Sequence, residues 1–394
     1  MGVCYNAGML EPSFFKVSAR LIDFMRQADE RGLINLAAGV PGLDSLPTEE
    51  LCEAFSRAFV DEGAAMFAYH HPEGDHGLRE HLAERLRKRG ANVTGKQLLT
   101  VTGCTQALHV MLSLVVKPGD VVAVEAPGYY GMLELLSALQ ARVLPLRVRG
   151  GDGVDPAEVE EAFTRWRPKC FVVCSALSNP SGATIPEANR ARLVELCRRL
   201  DVRLIEDDIY GELLDGGALR PMLAYDDGST VSYVSSFSKT VAPGLRVGVC
   251  APGTLFEDAA ALKCREDLHS SVVSEVALRE FLQDGALDPH LERLRSRNRR
   301  RREIALEVIA RVFPKGTPVT PPRGGYMLWV ELPRPIDLAK AREAALAQHV
   351  AFAAGSVFFT NEPETGCLRI NCAKAGEDEL VRGLEILGGV LAAA

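Results

Sequence analysis

The chain has 394 residues, a length that suggests two domains, or one large domain with an appendage. Hydrophobic residues make up 47% and charged residues 25%, ordinary for a soluble globular protein, and no apolar run approaches the ~20 residues that span a bilayer. The formal net charge of −7 argues against a general nucleic-acid binder, and Met1-Gly2-Val3-Cys4-Tyr5 lacks the basic-then-apolar pattern of a secretory signal. The 10 cysteines are scattered without a Cys-x-x-Cys pair, so reduced, mostly buried thiols in a cytoplasmic protein are expected. His70, His71 and His76 lie near one another without partner ligands at metal spacing, and no metal is expected.

In chain order, residues 98–102 form a short β-rich run and 105–116 a helical pattern. The turn Lys117-Pro118-Gly119-Asp120 leads into an apolar strand at 121–124. Residues 130–139 read as helix and 142–146 as strand. Asp155-Pro156 reads as an N-cap followed by proline at the first helical position, opening a helix toward Phe163. Strand at 170–174, helix at 186–200 and strand at 203–207 follow. Apolar strands separated by amphipathic helices predict an α/β fold, a mostly parallel mixed sheet covered by helices on both faces. After about residue 285 the texture changes. A long Arg-rich helix is predicted over 289–313, a strand over 325–332, a helix over 337–349, a strand over 367–371 and a last helix over 378–391, together a smaller α+β domain. The run Arg299 to Arg302 reads as a solvated helix face with its stems packed over the sheet rather than a nucleic-acid patch.

The chemistry centres on Ser235-Ser236-Phe237-Ser238-Lys239, with Arg246 seven positions later. A lysine can form a Schiff base with an aldehyde cofactor, and the hydroxyls and arginine can hold that cofactor's phosphate. Alone, a lysine beside serines is usually a surface lysine. Four other segments supply the remaining parts. Gly103-Cys104-Thr105 sits between a strand and a helix, where glycine permits close approach and free N–H groups can cradle a phosphate; an ordinary strand-to-helix turn reads the same way. Tyr129 follows Pro127-Gly128 and can stack on a flat ring, or simply pack. Asn179-Pro180 offers a side-chain donor on a fixed turn, or is a plain turn. Asp207 closes a strand at the end where α/β sheets bind ligands, and can pair with a protonated pyridine nitrogen; Asp207 or Asp208 could instead be a helix cap. Tyr210, three residues on, can reach a ring oxygen.

These segments resemble the class I/II aminotransferases of the pyridoxal phosphate (PLP) fold type I, over nearly the whole chain. The wording is closest to the aminotransferase-like domain of the MocR family, through Val124-Glu125-Ala126-Pro127-Gly128-Tyr129, the stretch from Ser236 to Gly248, and Pro322-Arg323-Gly324-Gly325-Tyr326-Met327-Leu328-Trp329. Those regulators also carry a winged-helix DNA-binding domain. Here the aminotransferase-like part begins almost at once, so the resemblance implies an enzyme acting on small molecules, with no nucleic-acid or membrane partner. It further implies an N-terminal segment over 1–45 that packs with the small domain and a dimer partner, a PLP-binding domain over 46–285 and a small domain over 286–394.

The roles implied are these. Lys239 carries the internal aldimine and moves the proton at Cα; Asp207 pairs with the pyridine nitrogen; Asn179 and Tyr210 hold the ring oxygen; Tyr129 stacks on the ring. Gly103, Cys104 and Thr105, with Ser236, Ser238 and Arg246, bind the phosphate, and Tyr69 reaches it from the partner subunit of a homodimer. Arg369 takes the substrate α-carboxylate unless it pairs with an acid such as Glu364, and Gly39 lies against the substrate. Cys104 departs from the Ser or Gly of many relatives, which removes at most one hydroxyl. The expected reaction is transfer of an amino group from an L-amino acid to a 2-oxo acid. Other PLP chemistry on an amino acid (elimination, cyclisation or oxidation) and a non-catalytic PLP and amino-acid sensor are the alternatives.

Overall fold

The apolar runs at 121–126, 142–147, 170–174 and 203–207 pair side by side, as expected of strands covered on both faces. The structure, a computed structural model, describes residues 11–15, 32–320, 322–333, 336–360 and 366–394; Met1 to Tyr5 and Glu364 lie outside them. Among the described residues the strands are β1 (Ser13–Phe14), β2 (Ile34–Asn35), β3 (Leu99–Val101), β4 (Val121–Ala126), β5 (Arg142–Arg147), β6 (Cys170–Cys174), β7 (Arg203–Asp207), β8 (Val231–Ser236), β9 (Gly248–Ala251), β10 (Met327–Glu331), β11 (Val350–Ala351), β12 (Ala353–Ala354) and β13 (Cys367–Asn371). One sheet has the order β1-β5-β4-β6-β7-β8-β9-β3. Its middle, from β5 to β8, is parallel, whereas β9 runs antiparallel to both β8 and β3, and β1 antiparallel to β5. The sheet is therefore mixed and mostly parallel, and the fold is α/β, as expected.

Alternation along the strands separates two cores. Ala123, Phe171 and Val173 meet Leu82, Phe163 and Leu193 on one face. Val122, Val124, Cys170 and Val172 meet Leu108, Met111 and Leu136 on the other. Helices Tyr130–Ala138, Pro156–Trp166 and Glu187–Arg199 provide the crossovers that parallel strands require. Asp155 caps the second of these by accepting from Ala157 N at 2.9 Å, with Pro156 at the first helical position.

The second sheet, β10-β13-β12, is antiparallel, and β11 pairs with β2 in parallel. Helices Leu287–Val312, Leu338–Ala347 and Glu377–Ala393 cover it. Leu36, Ile309, Leu328, Leu338 and Leu384 share this core, so the segment after β2 packs with the C-terminal elements. The long helix starts at Leu287, two residues before Pro289, which its first turn tolerates because those N–H groups have no intrahelical partner.

The reading of the arginine run needs correction. Arg299 and Arg300 are exposed, but Arg301 and Arg302 are buried. Arg301 donates to the Ala373 carbonyl and to Asp44, both at 2.6 Å, and Arg302 to the Gly325 carbonyl and Asp215. Pairing of their terminal nitrogens makes the buried guanidinium groups tolerable, and those partners are remote in sequence. Among the described residues eight cysteines are free thiols, whereas Cys367 is disulfide-bonded, against the expectation of reduced thiols. No helix among the described residues is long and apolar enough to cross a membrane.

Candidate active site

The carboxyl ends of the parallel strands converge. β7 ends at Asp207, β8 leads through Ser236 to Lys239, β6 leads to the loop bearing Asn179, and β4 leads to Tyr129. The Asn179 loop is held from behind by the buried Arg190, which donates to the carbonyls of Ser175, Ile185 and Arg220 at 2.7–2.8 Å. Arg369, on β13 of the second sheet, and Gly39, after β2, close the site from the other side.

Lys239 is partly buried and its Nζ donates to the Gly39 carbonyl at 2.8 Å. Burial, with the positive charges of Arg369 and Arg246, pushes its amine down to about 8, against the opposing pull of Asp207. Asp207 accepts from Ile209 N at 3.1 Å and from the Cys104 thiol at 3.4 Å. Burial pushes its carboxyl up to about 6, opposed by those two hydrogen bonds and by Lys239. Asp208 belongs elsewhere: it is paired with Arg89 at 2.7 Å and accepts from the Tyr233 hydroxyl at 3.0 Å. Cys104, expected at the phosphate with both backbone and side chain, turns its thiol to Asp207 instead.

A second pole is built for an anion. Gly103 has φ 79° and caps the helix Cys104–Val115 without a side chain, leaving the first N–H groups of that helix free of intrahelical partners. A Cβ at Gly103 would come within 2.5 Å of the Arg246 guanidinium. Ser236 and Ser238 lie Oγ to Oγ at 2.9 Å, and Arg246 donates to Ser238 Oγ at 3.2 Å and to the Thr102 carbonyl at 3.0 Å. Thr105 is exposed at the same helix start. One cation, two hydroxyls and a helix N-terminus converge here.

The opposite pole is a buried arginine. Arg369 donates through Nη1 to Asn179 Oδ1 at 2.6 Å and through Nη2 to the Ala37 carbonyl, while its Nε has no partner among the described residues. Its guanidinium lies 4.8 Å over the Phe358 ring. A Cβ on Gly39 would sit 3.4 Å from Arg369 Nη1. Asn371 donates to the carbonyls of Ala38 and Val40, and Asn35 Oδ1 accepts from Ala37 N and Ala38 N at 2.9 and 2.8 Å, so two asparagines hold the segment around Gly39.

Between the poles, Tyr129 and Tyr130 have ring centroids 5.0 Å apart, and Tyr130 lies 6.0 Å from Phe358. Tyr210 is buried edge-on against Tyr326 at 6.3 Å. Burial pushes the Tyr129 and Tyr210 phenols up, keeping both neutral. Tyr69 is apart from this group: it is 84% exposed and touches His269 edge-on at 5.6 Å.

Sequence reasoning passed over Asn35, Asn371, Tyr326, Phe358 and Glu125. Asn371 had a usable signal, a polar residue two positions after Arg369 on the same face of an otherwise apolar strand.

The family model "Aminotransferase class I and II" matches residues 31–387. A 2-aminoadipate transaminase of Thermus thermophilus is 31% identical over 94% of this chain and 92% of its own. The uncharacterized HTH-type transcriptional regulator YjiR of Escherichia coli is 29% identical over 90% of this chain and 76% of its own. The crystal structure of LysN, an alpha-aminoadipate aminotransferase from Thermus thermophilus complexed with N-(5'-phosphopyridoxyl)-L-leucine, superposes with a TM-score of 0.87 at 29% identity, covering 96% of each chain.

Proposed function

Since the chain belongs to the class I and II aminotransferases and is a pyridoxal phosphate-dependent enzyme, we propose that it moves an amino group from an L-amino acid to a 2-oxo acid, with Lys239 as cofactor anchor and proton carrier. One observation carries the reading: a partly buried amine, a buried carboxylate and a buried guanidinium surround one cleft whose far end is an anion cradle. The residues fit the cofactor. The glycine at 103 leaves room for a phosphate beside Arg246, and the acceptor-only Asp207 suits a protonated ring nitrogen. When bound, the cofactor supplies an electron sink for the substrate's Cα.

In this reading Gly103, Cys104 and Thr105 offer backbone N–H groups, and Ser236, Ser238 and Arg246 side-chain donors, to the phosphate. Asp207 faces the ring nitrogen, Asn179 and Tyr210 its oxygen, and Tyr129 its face. Lys239 Nζ, part of which is neutral near pH 7 because burial depresses it, takes the proton from Cα and returns it. Arg369 presents its planar fork to the α-carboxylate, and Gly39 lets the substrate lie against the backbone. Turnover should need both substrates: one equivalent of 2-oxo acid consumed per amino acid, and no ammonia released without the acceptor. Ammonia release from the donor alone would mean elimination, and no turnover with either would mean a sensor.

Asp207→Asn should retain the cofactor yet lower kcat roughly 10²–10³-fold, the usual cost of one preorganised electrostatic partner. Unchanged kcat would remove Asp207 from the reaction.

A homodimer is the assembly this reading requires. Phe59, Val60, Phe67, Tyr69 and Leu268 are large exposed apolar side chains, and Phe59 stacks with Phe67 at 6.1 Å. Such exposed apolar side chains suit an interface, and a two-fold one is the commonest. Tyr69 would complete the neighbour's phosphate site. Sedimentation should give a dimer, and Tyr69→Phe should weaken cofactor retention; an active monomer would refute both.

A further inference from the structure

Glu125, at the end of β4, is buried and belongs to none of the roles above. Its Oε2 accepts from Cys174 N at 2.8 Å and Ser178 Oγ at 3.0 Å, tying β4 to the loop whose next residue is Asn179. Its Oε1 is buried without a partner among the described residues. An ionised carboxylate with one oxygen unsatisfied is costly away from water. A cavity of about 30 Å³ is lined by Glu125, Tyr129, Cys174, Ser178, Asn179 and Asp207, among others. A buried water needs roughly 10–15 Å³ and two to four polar partners, and this cavity offers both.

We propose that Glu125 and Asp207 form a carboxyl pair bridged by one buried water, with the proton on Glu125, so that Glu125 is a positioning residue that keeps Asp207 ionised. The inference rests on the reading of Asp207 as the ring-nitrogen partner. Two carboxylates close together in a poorly solvated site do not both ionise readily, and the proton goes to the one whose charge is less supported. Asp207 faces the Lys239 ammonium and the Cys104 thiol, which favour its charge, and Asp208 from behind, which does not. Glu125 faces Asp207 and no cation; Tyr129 and Cys174, the other titratable groups at the cavity, are held neutral by burial. Burial pushes the Glu125 carboxyl up to about 7, above Asp207.

The test is infrared difference spectroscopy of the full chain over a pH series, for wild type, Glu125→Gln and Asp207→Asn. Gln keeps an oxygen for Cys174 N and Ser178 Oγ and places an amide toward the cavity, so the fold should persist, as an unchanged Tm would verify. Glu206 and Glu275, also pushed up by burial, contribute bands common to all three proteins. A protonated-carboxyl band should fade in wild type as the pH rises through about 7. It should be lost in Glu125→Gln, and in Asp207→Asn it should persist but titrate at lower pH, because the neighbouring charge is gone. A band that survives in Glu125→Gln, disappears in Asp207→Asn at every pH, or titrates identically in Asp207→Asn overturns the pair. Absorbance titration with PLP on the same samples separates the two ideas: the expected band pattern in a chain that binds no PLP would leave the pair standing and remove the ring role of Asp207.

Discussion

Lys239→Ala should lower kcat roughly 10²–10⁴-fold, the range supplied by a positioned proton carrier. The effect is large because the described site holds one amine that reaches the Gly39 carbonyl between the cradle and the arginine. Borohydride reduction of the wild-type enzyme followed by peptide mapping should place the cofactor label on Lys239. A label on Lys263, which is buried and paired with Asp267 at 3.2 Å, or on Lys169 would defeat the assignment. The pH dependence has a definite sign. The amine is pushed down to about 8, so its neutral form grows as the pH rises, and capture of PLP by the cofactor-free chain should speed up and level off above about 8. The folded chain gives up this proton before the unfolded chain does. Its burden on folding is therefore complete below about 8 and lifts as the pH rises toward the lysine's ordinary range.

Arg369→Ala should weaken amino-acid binding by about ten- to a hundredfold, since losing a charged hydrogen-bond partner costs roughly 1.5–3 kcal/mol. The loss should fall on KM for α-amino acids and leave simple amines, which lack a carboxylate, nearly unaffected. The side chain is buried, lies over Phe358 and binds Asn179, so its removal also frees Asn179. Arg369→Lys separates the two effects: a point charge without the planar fork should keep the fold and lose most of the discrimination. Equal losses for amino acids and amines would make Arg369 structural.

The parts of the fold legible in the sequence were those with strong local signals. The stretches at 121–124 and 170–174 are apolar on both faces, and Asp155-Pro156 announces its helix. β8 and β9 were not foreseen: serines and glycine dilute their pattern, and only register against β7 and β3 reveals them. Residues 98–102 read as a strand, but nothing local puts β3 at the far edge beside β9. In the site, a lysine behind two serines and an aspartate ending a strand were visible because chemistry restricts the residue type. Glu125, Asn35 and Asn371 were not, because their meaning lies in backbone groups far along the chain, such as Cys174 N or the Val40 carbonyl. Arg301 and Arg302 misled for the same reason.

The cradle also limits how this chain can drift. Gly103 is at φ 79°, and any Cβ there would meet Arg246; a Cβ at Gly248 would come within 2.9 Å of Gly103 backbone atoms. Arg246 itself holds a left-handed backbone at φ 54°. The three positions therefore form one mutational unit: a library varied at 103 alone should return glycine, and escape from glycine requires the arginine to move in the same step.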